Sequence, residues 1–203
     1  MGLLVTLLLV SWSACASASV QDCWLSSLVG QSLVDSSSGA ARSSCAVSAP
    51  LVGLLFASSM CESCVAFQSH VAKLASFRQT LQVVLLSRDP NQKRFDRHLL
   101  ALGESVLAIP LRSEDSERLN VHFGKPSLPT LMLFTNDGRL LDAHGYHTLL
   151  HLGPDKALEY WNGRANHAQE VNHRDLYLAA HPANQNLLAK LQPAANNAQK
   201  DDL

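Results

Sequence analysis

The sequence predicts an α/β fold, a mixed sheet with helices on both faces, and three observations carry that reading. Two apolar runs, Leu51–Phe56 and Leu81–Leu86, are short and nearly continuous, as strands buried on both faces are. Each run gives way to a stretch of helical period. The chain then reaches an apolar strand at Thr130–Phe134, a tight-turn signal at Asn136-Asp137-Gly138 and a returning strand at Arg139–Ala143. Strands that alternate with helices and close on a hairpin make a mixed sheet.

Taken in order, residues 19–50 are rich in Ser and Ala, with a short strand at Ser32-Leu33-Val34 and a turn near Ser38-Gly39. After the strand at 51–56, Cys64, Phe67, Val71 and Leu74 recur at helical spacing, with Gln68, Ser69, Lys73 and Ser76 opposite them. That predicts a helix from about residue 61 to 77. Beyond the strand at 81–86, Asp89-Pro90 predicts an N-cap and a proline at the first helical position, opening a helix with Phe95, Leu99 and Leu102 on one face. A short strand is expected at Val106–Ile109. Ser113 then caps a helix whose first turn carries Glu114 and Asp115 and which stops at Gly124. A last helix is expected after Gly153-Pro154-Asp155, carrying Leu158 and Trp161. Past Trp161 the composition turns to Ala, Asn and Gln, which predicts interrupted helix over 168–192 and a disordered end.

Composition excludes some functions. In 203 residues, 16 Lys and Arg stand against 17 Asp and Glu with no basic block or stripe, which argues against a nucleic-acid partner. An apolar share of 47% belongs to a globular chain.

The two ends carry addresses. Leu3–Val10 is apolar except for Thr6, and Ala16-Ser17-Ala18 is a small-residue cleavage signature, so residues 1–18 read as a secretory signal peptide. The apolar core is far shorter than the roughly 20 residues a bilayer span needs, so no membrane span is expected in the mature chain. The chain closes on Lys200-Asp201-Asp202-Leu203, which resembles the K-D-E-L retrieval address, with a retrieval receptor as its reader. Together they point to the endoplasmic reticulum lumen, which permits disulfides. The domain plan is a signal peptide at 1–18, one α/β domain at 19–164, and an extension at 165–203.

The chemistry is carried by Cys61-Glu62-Ser63-Cys64, where the apolar strand gives way to the amphipathic helix. Unpaired backbone N–H groups and the helix dipole stabilise a thiolate there, and two cysteines at this spacing can close and reopen a small disulfide ring. A zinc site would need four ligands, with Cys23 and Cys45 converging on the motif, and an inert structural disulfide is a further reading. The strand-to-helix context favours redox chemistry. With Cys15 leaving in the signal peptide, Cys23, Cys45, Cys61 and Cys64 remain, and four cysteines allow three pairings. With Cys61 and Cys64 as the couple, Cys23 and Cys45 are left as a candidate structural bridge. Six of the nine histidines fall between His144 and His181; His144, His147 and His151 are read as surface or loop residues rather than metal ligands, because the expected strand and loop do not place them on one helical face.

The Cys-x-x-Cys turn, followed by Ser127-Leu128-Pro129-Thr130 before an apolar strand, resembles the thioredoxin superfamily. Leu54–Cys64 is similar to the tryparedoxin/nucleoredoxin pattern L-Y-F-S-A-x-W-C-P-P-C, Val83–Asp89 to its V-V-F-I-S-x-D, Leu119–Asp142 to the stretch with F-G-V-x-x-I-P-T-L and D-G-x-x, and Glu159-Tyr160-Trp161 to its closing F-P-W. The likeness covers about residues 28–162. It implies a thioredoxin-like fold, a cis bond before Pro129 against the reactive cysteines, and a backbone at Leu128 that pairs with the substrate chain.

Three departures stand out. Met60 replaces the family's tryptophan, Glu62-Ser63 replaces Pro-Pro, and Val65 replaces arginine, which puts a glutathione-like or trypanothione-like electron donor in question. The resemblance implies thiol–disulfide exchange on protein thiols and disulfides with no cofactor. Cys61 is the expected nucleophile and Cys64 the resolving cysteine, with Met60, Glu62, Leu128 and Pro129 facing the substrate. Glu62, a carboxylate beside Cys61, is expected to raise that thiol's pKa and make the couple more reducing. A module that binds unfolded luminal chains, its disulfide structural, is the alternative that Met60 favours.

Overall fold

A computed structural model describes residues 23–165. The expected signal peptide, the tetrapeptide Lys200–Leu203 and the helix over 168–192 lie outside the described residues.

The apolar runs become the centre of the sheet. β3 (Leu51–Ala57) and β4 (Leu81–Ser87) pair in parallel, and every residue of both is buried. β6 (Thr130–Thr135) lies antiparallel against the other edge of β3, and β7 (Leu140–Asp142) returns beside it. β5 (Leu107–Ala108) extends the sheet beyond β4 as a parallel strand, and β1 (Ser32–Asp35) and β2 (Ala41–Ser43) complete it antiparallel. The sheet has seven strands in the order β2-β1-β5-β4-β3-β6-β7, the mixed sheet expected.

Alternation along β3 divides its side chains between two cores. Leu51 and Leu55 face α2 (Glu62–Ala75), α3 (Gln92–Leu102) and α5 (Gly145–Arg164), through Phe67, Val71, Leu74, Phe95, Leu99 and Trp161. Val52, Leu54 and Phe56 face α1 (Trp24–Val29) and α4 (Glu114–His122), through Leu25, Val29, Leu119 and the flanking Phe123. Helices therefore cover both faces. Gly138 takes the positive φ of 88° that the β6–β7 turn requires. Gly145 begins α5 where the helix presses on β6, and a Cβ there would lie 2.3 Å from Leu133 Cδ2.

Four expectations are corrected. Asn91, not Asp89, caps α3, its side chain accepting from the Arg94 N–H at 3.0 Å, so Pro90 stands outside the helix. The Asp89 carboxylate is drawn inward instead, where serines and a histidine meet it. The segment before residue 51 holds helix α1, strand β2 and a 3-10 turn at Ser44–Ala46 besides the expected strand. Their sequences show no clear period; a disulfide between Cys23 and Cys45, with Cα atoms 5.6 Å apart, ties α1 to the 3-10 turn. Finally, α5 begins at Gly145, before the Gly153-Pro154 signal. Gly153 (φ 72°) is a kink between two helical segments, so His147 and His151 are helical where strand and loop were expected. Among the described residues, no three His, Cys, Asp or Glu side chains gather as metal ligands, and no helix is long and apolar enough to cross a membrane.

Candidate active site

The site forms where β3 ends. Ser58 and Ser59 turn the chain, and Cys61 becomes the N-cap of α2, its sulfur accepting the Cys64 backbone N–H at 3.2 Å. This is the bond a capping oxygen ordinarily makes. The Ser63 hydroxyl lies 3.6 Å from the same sulfur. Burial disfavours the Cys61 thiolate, but the Cys64 thiol, the Ser63 hydroxyl and the N–H groups of both residues outweigh it, and its pKa falls below the ordinary cysteine value.

Cys64 sits one turn inside the helix and is 2% exposed. Burial first, then its bond to the Cys61 sulfur and the charges of Cys61 and Asp89, push its pKa up to about 12, although the Ser58 N–H acts the other way. The two thiols are thus unequal: a half-buried, acidified Cys61 in front and a buried, protonated Cys64 behind.

At Cys61 the net direction is downward, whatever Glu62 adds. That side chain is exposed at the first position of α2, and direct hydrogen bonds to the sulfur decide the direction. An exposed carboxylate is screened by water.

Across from the dithiol, the Leu128–Pro129 peptide is cis. The Thr130 hydroxyl donates to the Ser127 carbonyl at 2.7 Å and closes this loop on itself. Between this loop, the Ser63 end of α2 and the start of α5 lies a cleft of about 240 Å³ lined by Ser63, Leu128, Pro129, Tyr146, His144 and His147 among others. Of the expected site residues, Leu128 and Pro129 line this cleft together with Ser63, while Met60 stands 62% exposed beside Cys61. Cys23 and Cys45 pair with each other and take no part in the site.

Sequence reasoning missed Asp89 and His98 behind the motif. Asp89 Oδ1 accepts from the Ser59 N–H at 2.8 Å, the Ser59 hydroxyl at 2.6 Å and the Ser58 hydroxyl at 3.2 Å. Its Oδ2 accepts from the Ser87 hydroxyl at 2.7 Å and lies 2.9 Å from His98 Nδ1. Burial opposes its charge, yet these donors hold its pKa below the usual aspartate value. Two sequence signals fell on Asp89: it precedes a proline, which reads as a helix cap, and it ends the stretch Val83–Asp89 that resembles V-V-F-I-S-x-D.

A mixed sheet with helices on both faces, a helix-capping dithiol and a cis-proline opposite it define a thioredoxin-like domain. Residues 50–140 match the thioredoxin-like family model, and the domain has the thioredoxin-like fold. Among solved structures the chain is similar to a thioredoxin from Wuchereria bancrofti (19% identity, TM-score 0.55, covering 67% of this chain and 96% of that one). It is similar also to the tryparedoxin of Trypanosoma brucei (24%, TM-score 0.55, 66% and 92%) and tryparedoxin II of C. fasciculata (19%, TM-score 0.55, 63% and 86%). No curated protein matches the sequence.

Proposed function

We propose that this protein is a thiol–disulfide oxidoreductase of the secretory pathway that acts on protein disulfides. The observation that carries the reading is the inequality of the two thiols: Cys61 is acidified at a helix N-terminus and Cys64 is held protonated behind it. The Cys61 thiolate attacks a substrate disulfide, the bond between the two substrate sulfurs breaks, and one leaves as a thiol after taking up a proton. Cys64 then loses its proton and attacks the mixed disulfide, so a Cys61–Cys64 bond forms as the second substrate thiol departs. The substrate is oxidant for the dithiol, and a thiol donor must later reduce the pair. The cis-proline loop supplies Leu128 as a backbone partner for an extended substrate, and the exposed Met60 gives it an apolar neighbour.

Reduction of insulin by wild type and by Cys61→Ser tests the reading. Wild type is expected to be active and the variant inactive, while Cys64→Ser accumulates mixed disulfides. Equal activity of all three would refute it. Binding of unfolded chains without exchange is the second reading, and exposed Met60 and Val65 favour it; it predicts client capture that survives Cys61→Ser.

Luminal residence rests on the signal-like residues 1–18 and on Lys200-Asp201-Asp202-Leu203 as a ligand for a retrieval receptor. A closed Cys23–Cys45 bridge agrees with an oxidising compartment. Deleting the last four residues should move the protein into the medium with its redox activity unchanged; continued retention would overturn the address.

A further inference from the structure

Behind the dithiol the structure buries a charge that the exchange steps above do not use. The Asp89 side chain is fully shielded from solvent, and His98 beside it is 2% exposed. A buried carboxylate persists as an ion only if donors surround it, and Asp89 has donors on both oxygens. An ionised carboxylate only accepts, so His98 Nδ1 is the donor of that pair. His98 Nε2 is buried with no hydrogen-bond partner, which suits a ring whose proton sits on Nδ1. A proton on Nε2 as well would leave a buried donor unmatched.

The carboxylate also organises the turn that leads into the dithiol. It holds both serines of the turn between β3 and Cys61, and the Ser58 hydroxyl in turn accepts the Met60 N–H at 3.2 Å. The Ser58 backbone N–H and the Asp89 charge both act on Cys64. We infer that His98 is a positioning residue of the dithiol: through its hydrogen bond to Asp89 it keeps a negative charge fixed behind the Ser58–Ser59 turn, on the side of the buried Cys64. The inference deepens the oxidoreductase reading and rests on it for its purpose. Other charged groups stand around Asp89. Arg88 is its chain neighbour, with a guanidinium engaged by Asn120 and the Pro126 carbonyl. Arg112 donates to the Pro90 carbonyl, and Glu117 of α4 shares the cleft that Asp89 and Arg112 line. On α3 the contact is His98 itself.

Carbon-13 NMR titration of the Asp89 carboxyl and of the Cys61 and Cys64 Cβ atoms, in the reduced full-length protein, tests both links. In His98→Leu the Asp89 midpoint should rise by about one pH unit or more, a tenfold change in its ionisation equilibrium. In His98→Asn it should stay within about half a unit, because the Asn side-chain nitrogen is bonded to Cγ as the imidazole Nδ1 is. Asp89→Asn removes the charge, so the midpoints of both cysteines should fall, Cys64 further than Cys61. A purely structural role predicts the reverse at Cys61, whose midpoint would rise as a loosened turn pulled its sulfur from the Cys64 and Ser63 donors. The proposal is overturned if Asp89 titrates alike in wild type and His98→Leu, or if Asp89→Asn leaves the cysteines unmoved or raises Cys61. Should His98→Leu not fold, the wild-type midpoint decides with Asp89→Asn: an Asp89 that titrates at or above the ordinary aspartate value refutes the pair. These titrations need no substrate. A protein that shows every shift but reduces no insulin would sink the oxidoreductase reading and leave the pair standing.

Discussion

The Arg88 guanidinium donates to the Pro126 carbonyl at 2.7 Å, joining the exit of β4 to the loop that carries the cis Pro129. Its Nε donates to Asn120 Oδ1 at 2.9 Å, and Asn120 is held in turn by the Ser116 carbonyl at 3.0 Å. One side chain thus sets α4 and the proline loop against the end of β4. Arg88→Ala is expected to lower stability by about 1.5–3 kcal/mol, the range for hydrogen bonds to a charged group. It should also raise the KM for insulin more than it lowers kcat, because the loop positions substrate and leaves the sulfurs untouched. Urea unfolding and steady-state kinetics check this; a kcat loss with KM unchanged would be the wrong result.

The buried Cys64 makes the reduced protein sensitive to alkali. Its pKa is about 12 in the fold and about 8.5 in an unfolded chain. Between roughly pH 9 and 12 the unfolded chain has released this proton and the folded one still binds it, so stability falls with rising pH, by up to about 1.4 kcal/mol per unit. Cys61 has the opposite sign: its folded pKa is lowered, so its contribution is complete above the unfolded value and is lost as pH falls through the folded one. It therefore adds no slope in the alkaline window. Urea midpoints at pH 8.5 and 11 should fall more steeply for reduced wild type than for Cys64→Ala. Parallel slopes would show that Cys64 ionises freely in the fold.

Glu62 should matter little. It is exposed on the first turn of α2. Glu62→Gln is expected to lower the Cys61 midpoint by no more than roughly 0.3 unit at low ionic strength, with the difference gone in 1 M salt, where the Debye length is about 3 Å. Iodoacetamide alkylation rates against pH measure it. A shift of a full unit that survives salt would place the carboxylate against the sulfur after all.

Asp142 ends the sheet and pins α5. Its Oδ2 accepts from the buried Trp161 Nε1 at 2.8 Å and from the Thr148 hydroxyl at 2.7 Å, and its Oδ1 takes the His144 N–H at 2.8 Å. Asp142→Ala leaves the indole N–H unmatched inside the core and should cost about 1–3 kcal/mol. Trp161→Phe removes donor and need together, so Asp142→Ala should cost clearly less in that background. Additive losses in a double-mutant cycle would mean the pair is not coupled.

The sequence by itself determined the central sheet. Leu51–Phe56, Leu81–Leu86 and Thr130–Phe134 are apolar enough to be buried on both faces, and the periodicity around Phe67, Phe95 and Leu119 placed the helices between them. It also located the reactive pair, because Cys-x-x-Cys at a change of period needs only local structure to be read. Tertiary structure decided what those thiols experience. Local rules made Asp89 a helix cap, since a single sequence shows a cap signal but not the Ser58, Ser59, Ser87 and His98 donors that converge on the carboxylate from 2 to 31 residues away. The same holds for Glu62, which sequence sets beside Cys61 and the fold leaves exposed. It holds also for Cys23 and Cys45, whose pairing depends on how α1 and the 3-10 turn pack under the sheet. Hydrophobic period is a property of neighbours along the chain, whereas hydrogen-bond satisfaction and burial belong to neighbours in space.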